Sequence, residues 1–265
     1  MIAKTSTTNK RKLQENLKRV KDKIARACDK AKRDPAEVRM VAVTKYVELD
    51  VVRMAMDMGV LDLGESRPQQ LNQRAGMLHE AAERRAVLGS DPLPRPRWHM
   101  IGHLQRNKVK MVVPWIEMIH SVDSLRLAED LHTQARRVGR VIDMLLQVNT
   151  SGEKTKFGVA VGAVTHLAEH FAEWDGIRLR GLMTMAPIDC TPDELKLYFN
   201  RLRDVFEDMR GERFVTPAFS ELSMGMSDDF EVAIECGATQ VRIGSALFDG
   251  LMMPRDRMGG DEDDD

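Results

Sequence analysis

Short apolar runs alternate with longer stretches of helical period along most of this chain. The run "VRMVAVTK" reads as a first strand ending on Lys45, and "LDVVRMAMDMG" as a helix stopped by Gly59. "VLDLGE", "RWHMIG", "WIEMIH" and "VIDMLLQVN" give the next four strands, each followed by a segment with apolar residues three or four apart. "GSDPLPRPR" ahead of the third strand is proline-rich and reads as a surface loop. "IRLRGLMTM", "FSELSM" and "TQVRIG" complete the set, with helices over "PDELKLYFNRLRDVFEDMR" and "DDFEVAIECG" between them. Eight such units in about 210 residues predict a (β/α)8 TIM barrel with a parallel sheet closed on itself. An open doubly wound sheet has the same local pattern, although no Gly-x-Gly-x-x-Gly follows the first strand.

Ahead of the barrel, Leu13, Leu17, Val20, Ile24 and Ala27 fall on one face of an extra N-terminal helix whose other face is basic. The expected division is a disordered segment 1–8, one barrel domain over 9–251, and a disordered acidic tail 252–265 ending in "GGDEDDD". The 265 residues suit one large core. Forty basic residues against 41 acidic ones give a net charge of −1, which argues against a general nucleic-acid partner. No apolar run approaches the roughly 20 residues that cross a bilayer, and the N-terminus lacks the apolar segment of a secretory signal. Cys28, Cys190 and Cys236 have neither paired count nor metal spacing, so a reduced, cytoplasmic protein without a metal is expected. His99 and His103 are four apart, but on a strand pattern they do not form a helical metal pair. Nothing demands a dimer, and a monomer is expected.

Barrel chemistry gathers at the carboxyl ends of the strands. Here those ends carry Lys45, Gly64-Glu65-Ser66, Gly102-His103, Asp123, Asn149, Thr184, "SMGMS" at 223–227 and "RIGS" at 242–245. Ser223, Gly225 and Ser227, with Gly244 and Ser245, stand on the loops after strands seven and eight, where a phosphate would rest against free backbone N–H groups. Alternatively, Ser227 is only a helix N-cap. Lys45 is either a lysine that snorkels to solvent or an amine that forms a Schiff base. At a reference pKa of about 10.4 few lysines are neutral at pH 7, so the second role needs apolar neighbours or nearby cations, of which Arg242 is a candidate. A reactive lysine facing a phosphate site suits a phosphorylated aldehyde, of which pyridoxal 5′-phosphate (PLP) is the commonest cofactor.

These motifs resemble the pyridoxal phosphate homeostasis proteins, relatives of the barrel domain of alanine racemase and of PLP fold-type III. The resemblance covers roughly residues 10–250 through "VAVTK", "GES", "WHMIGHLQRNK", "SVDS", "LLQVNTSGEKTKFG", "GLMTM", "LSMGMSDDFEVAI" and "VRIGSALF". It implies a PLP-binding protein of vitamin B6 homeostasis with the cofactor as a Schiff base on Lys45. Arg242 is then expected to face the pyridine nitrogen, and Ser223, Gly225, Gly244 and Ser245 to surround the phosphate. His103 and Met224 are expected to line the pocket. Where the family has Asn then Tyr, this chain has Ser66 and Arg67, and Ser66 is expected to contact the cofactor with a shorter reach.

Racemase-like catalysis needs an acid/base on the opposite cofactor face, typically a tyrosine from a further β-domain, for which this chain has no room. Tyr46 should point to the far side of its strand from Lys45, and Tyr198 lies in a helix. A non-catalytic carrier that delivers PLP to apoenzymes, with no catalytic residue, is therefore expected, and a PLP-dependent racemase or decarboxylase is the alternative. Lys154 and Lys156, on the loop 150–158, are candidates to capture cofactor during hand-over.

Overall fold

The computed structural model describes residues 2–153 and 155–253, the side chains of residues 2–6 excepted. Eight strands form the barrel: β1 (Arg39–Val43), β2 (Asp62–Glu65), β3 (Arg97–Met100), β4 (Ile116–Val122), β5 (Ile142–Asn149), β6 (Ile177–Met183), β7 (Glu221–Ser223) and β8 (Gln240–Ile243). Each pairs in parallel with the next, and β1 also pairs with β8 through Met40↔Val241 and Ala42↔Ile243. The sheet is closed, which excludes the doubly wound arrangement. An extra two-residue strand, Val159–Ala160, pairs with the end of β5.

Eight helices are described: α1 (Ile2–Ala31), α2 (Leu49–Asp57), α3 (Pro68–Val87), α4 (Val109–Val112), α5 (Leu125–Arg137), α6 (Val164–Ala172), α7 (Pro192–Arg210) and α8 (Phe230–Glu235). α4 is shorter than the "LQRNKVKMVV" pattern suggests, because its first turn is a 3-10 turn over Arg106–Lys108. Among the described residues no helix is long and apolar enough to cross a membrane.

Alternation along the strands sends one set of side chains towards the helices and the other into the barrel. The outward set, with Ala42, Leu63, Trp98, Ile119, Leu146, Leu182, Leu222 and Val241, joins the helix faces in one large apolar core. The inward set is mixed: Met118, Leu145 and Met183 form a small apolar plug, while His99, His120, Gln240 and Arg242 are buried polar groups.

The expected stripe on α1 is real, since Leu13, Leu17, Val20, Ile24 and Ala27 are all buried. The helix packs beside α8, where Lys23 pairs with Glu231 at 2.6 Å. Asn16, also buried, donates to the Leu247 and Asp249 carbonyls at 3.0 Å each. The start of the helix differs from expectation: residues 2–8 continue α1 instead of forming an irregular leader.

The far boundary moves too. Met252 bridges Val47, and the Met253 N–H donates to the Tyr46 carbonyl at 2.9 Å, so 252–253 belong to the domain rather than to a tail. The acidic segment from 254 onward lies outside the described residues, as does Lys154.

Candidate functional site

At the carboxyl end of β1 the strand stops at Val43, and Thr44 to Val47 turn across the barrel rim. The turn is anchored by two buried groups, Glu65 at the end of β2 and Arg74, the latter marked by no motif of the sequence. Arg74 on α3 donates to the Thr44 carbonyl at 2.5 Å and the Val47 carbonyl at 2.6 Å, and meets the Glu65 carboxylate at 3.2 Å. Burial pushes the Glu65 carboxyl up and the Arg74 guanidinium down, while the attraction between them opposes both shifts. The pair therefore spends its hydrogen bonds on the loop that presents Lys45.

Lys45 is half-buried, and its Nζ lies 4.9 Å from the Tyr46 ring centroid. Arg67 approaches the same ring at 5.1 Å and donates to the Lys45 carbonyl at 3.1 Å. Tyr46 thus does not point away from Lys45: both residues sit in a turn, beyond the last residue to which strand alternation applies. Arg67, which had no assigned role, links the end of β2 to the Lys45 backbone.

Next to Arg67, the Ser66 hydroxyl is buried without a hydrogen-bond partner, as is Nε of Arg67. The backbone of Ser66 is approached closely by Gly102, where a Cβ would come within 2.5 Å of the Ser66 carbonyl oxygen. Only glycine fits there. His103 follows at the rim, exposed, bonded to Asp123 at 3.1 Å and stacked on Phe157 at 4.3 Å.

The end of β8 adjoins β1 directly. A Cβ on Gly244 would lie 3.2 Å from that of Val43, two residues before Lys45. The Gly244 and Ala246 N–H groups both donate to the Ser227 hydroxyl at 3.2 Å. Ser227 is therefore not the cap of α8; Asp229 is. Gly225 makes the approach possible: its φ is 91°, and a Cβ would come within 2.6 Å of the Ala233 Cβ. Ser245 is exposed beside this pair of amides.

Two of the expected site residues are fully buried. Ser223 faces the barrel interior, where its hydroxyl accepts from Arg242 at 2.6 Å and meets His120 at 2.9 Å. Met224, expected on the pocket wall, is fully buried in the apolar core, because it falls on the opposite side of the strand path from Ser223. Arg242 is buried as expected of a group inside the barrel, and its second nitrogen donates to the Thr184 carbonyl at 3.0 Å. Burial draws its pKa down to about 10, with Asp229 opposing, so it remains a cation at neutral pH. Among the described residues no group of three or more His, Cys, Asp and Glu is placed to hold a metal ion.

Residues 9–251 match the family model for the alanine racemase N-terminal domain. The pyridoxal phosphate homeostasis protein of Aquifex aeolicus is 37% identical over 234 residues, covering 88% of this chain and 96% of that protein. This chain belongs to the pyridoxal phosphate homeostasis protein family. The family member from Pseudomonas aeruginosa is 38% identical, with 88% of this chain and 94% of that protein covered. PipY of Synechococcus elongatus PCC7942, whose solved structure has PLP bound, superposes with a TM-score of 0.70 at 30% identity, covering 85% of this chain and 99% of that one. The family resemblance seen in the motifs and the closed barrel thus agree, and the relatives are named for homeostasis rather than for a reaction.

Proposed function

We propose that this chain holds PLP as a Schiff base on Lys45 and delivers it to apoenzymes in the cytoplasm, acting as a carrier rather than a catalyst. The observation that carries this reading is the adjacency of two strand ends: the Gly244 and Ala246 amides, which converge on the Ser227 hydroxyl and would suit a phosphate oxygen in its place, lie beside the strand that presents Lys45. The orphaned Ser66 hydroxyl on the same rim offers a donor to a ring substituent, so the residues present fit the cofactor. In this reading Lys45 would hold the cofactor's aldehyde carbon, Gly244, Ser245 and Ser227 would receive its phosphate, and Arg242 would face its pyridine nitrogen. His103 and Phe157 stand at the rim.

PLP supplies an electron sink that works best when its pyridine nitrogen is protonated. A buried, charged Arg242 disfavours that proton, which supports retention without turnover. Tyr46, held under Lys45 and Arg67, is tied into the rim rather than set opposite Lys45 as a second acid/base.

The test is the visible spectrum of PLP-loaded protein beside Lys45→Ala, followed by borohydride reduction and peptide mass analysis. The wild type is expected to show the imine band and a pyridoxyl group on Lys45, and the variant neither. An unmodified Lys45 in loaded protein overturns the reading. Rapid α-deuterium exchange into amino acids would replace the carrier with a racemase or decarboxylase.

A further inference from the structure

An unbroken line of buried polar groups crosses the barrel from its amino-terminal end to Arg242, and with both of its imidazoles neutral and Asp62 ionised one order of protons satisfies every link. Arg242 has no lone pair to offer, so the Ser223 oxygen must accept from it at 2.6 Å. With the Asp62 carboxylate at the other end taking the Nε2 proton of a neutral His99, the Ser223 proton is directed to Nδ1 of His120, 2.9 Å away. His120 consequently carries its own proton on Nε2 and donates it to Nδ1 of His99 at 2.9 Å. His99 in turn donates from Nε2 to Oδ1 of Asp62 at 3.1 Å. Asp62 ends the line, its two oxygens also accepting from Arg97 at 2.8 and 2.6 Å.

Five strands contribute: β2, β3 and β4 on one wall, β7 and β8 on the other. His120 and Ser223 are 0% exposed, His99 1% and Arg242 3%. Burial first, and the nearby Arg242 cation with it, push the His120 imidazole well below its usual pKa, in keeping with a neutral ring. Arg39 acts in the same direction and Asp62 against it.

The arrangement solves a particular problem. Arg242 is a fully buried cation whose two bonded acceptors are a hydroxyl and a carbonyl, not a carboxylate. A directly bonded carboxylate would neutralise it; an apolar surrounding would leave its charge uncompensated. Hydrogen bonds aligned in one direction present a lone pair at the arginine and protons towards Asp62, and such chains polarise one another.

We propose that Ser223, His120, His99 and Asp62 are positioning residues for Arg242, a one-way hydrogen-bond relay that aims its guanidinium and keeps its full positive charge available to a bound ring. The proposal rests on the reading of this site as a PLP site. It assigns the buried histidines a purpose beyond filling the barrel: they set the electrostatics of the ring-nitrogen position from the opposite end of the molecule.

Long-range 1H–15N correlation spectra of the cofactor-free protein at pH 7 test the relay directly. Both His99 and His120 are expected as neutral rings protonated on Nε2; a proton on Nδ1 of either, or an imidazolium, overturns it. Asp62→Asn is expected to shift the Nδ1 resonance of His120, two hydrogen bonds away, and an unmoved resonance counts against the relay. Ser223→Ala is expected to move the absorption maximum of PLP-loaded protein and to speed cofactor release about tenfold, the scale of one charge-assisted hydrogen bond, with Ser223→Thr restoring both. If Ser223→Ala matches wild type in both while Lys45 still carries the cofactor, the relay is structural only and the proposal fails. A wild-type protein with no band at all instead overturns the PLP reading, and the spectra without cofactor still judge the relay.

Discussion

Replacing Gly225 by Ala forces a side chain into a left-handed backbone at φ 91° and against Ala233 and Phe230. The cost is expected to be about 2–4 kcal/mol, from backbone strain plus overpacking, read as a lower urea midpoint. A substitution at the proposed phosphate site should act differently: Ser245→Ala, on an exposed residue, is expected to leave stability in urea within about 0.5 kcal/mol while weakening PLP retention in equilibrium dialysis. Lys45, Gly225 and Gly244 were legible in the sequence because strand ends and glycine punctuation are local signals. Ser223 and Ser227 were harder to tell apart, since both flank the same glycine and only the path of the chain through Gly225 decides which hydroxyl meets the amides. Asp62 and His120 gave no signal, and His99 drew notice only for its spacing from His103. Their partners come from other strands, and in one-dimensional order each looks like a polar interruption of an apolar run.

The Lys45 turn depends on α3 more than on its own residues. Arg74→Met removes three hydrogen-bond acceptors' partner and leaves Glu65 buried without its cation. A loss of about 3–5 kcal/mol is expected for breaking such a pair, and chemical denaturation measures it. The leading helix has a similar dependence: Asn16→Ala strands the Leu247 and Asp249 carbonyls and is expected to cost about 1–3 kcal/mol. The stripe of α1 could be read from its period, and so could most strands, because each barrel strand is an apolar run bounded by turn residues. Boundaries were less legible. The start of α1 at Ile2 and the tie from Met253 to Tyr46 depend on continued helix or on distant partners rather than on apolar spacing.

Opposite the candidate site, the barrel interior ends in ion pairs: Arg97 with Asp62 at 2.6 Å, Arg178 with Asp143 at 2.6 Å, and Arg180 with Asp143 at 3.2 Å. Burial alone would raise the Asp62 carboxyl, but bonds from Arg97 and His99 outweigh it and hold the group well below its ordinary 3.8. A depressed carboxyl contributes stability in full above its unfolded pKa and loses it as pH falls towards the folded one. Stability should therefore drop between about pH 5 and pH 3, and Asp62→Asn should flatten that drop in urea titrations at the two pH values. The eight-fold alternation was legible, and the count of eight units predicted the closed barrel, although the pairing that closes it joins the two most distant strands and carries no local signal.

That pairing governs how the chain must reach its native form. Met40 pairs with Val241, so the ring cannot seal until the last strand has emerged, and until then the edge of the first strand lacks its partner. Long-range pairing of this kind makes for slow folding, and unpaired margins invite other chains. A newly made copy is most exposed to aggregation in the interval just before its final strand arrives.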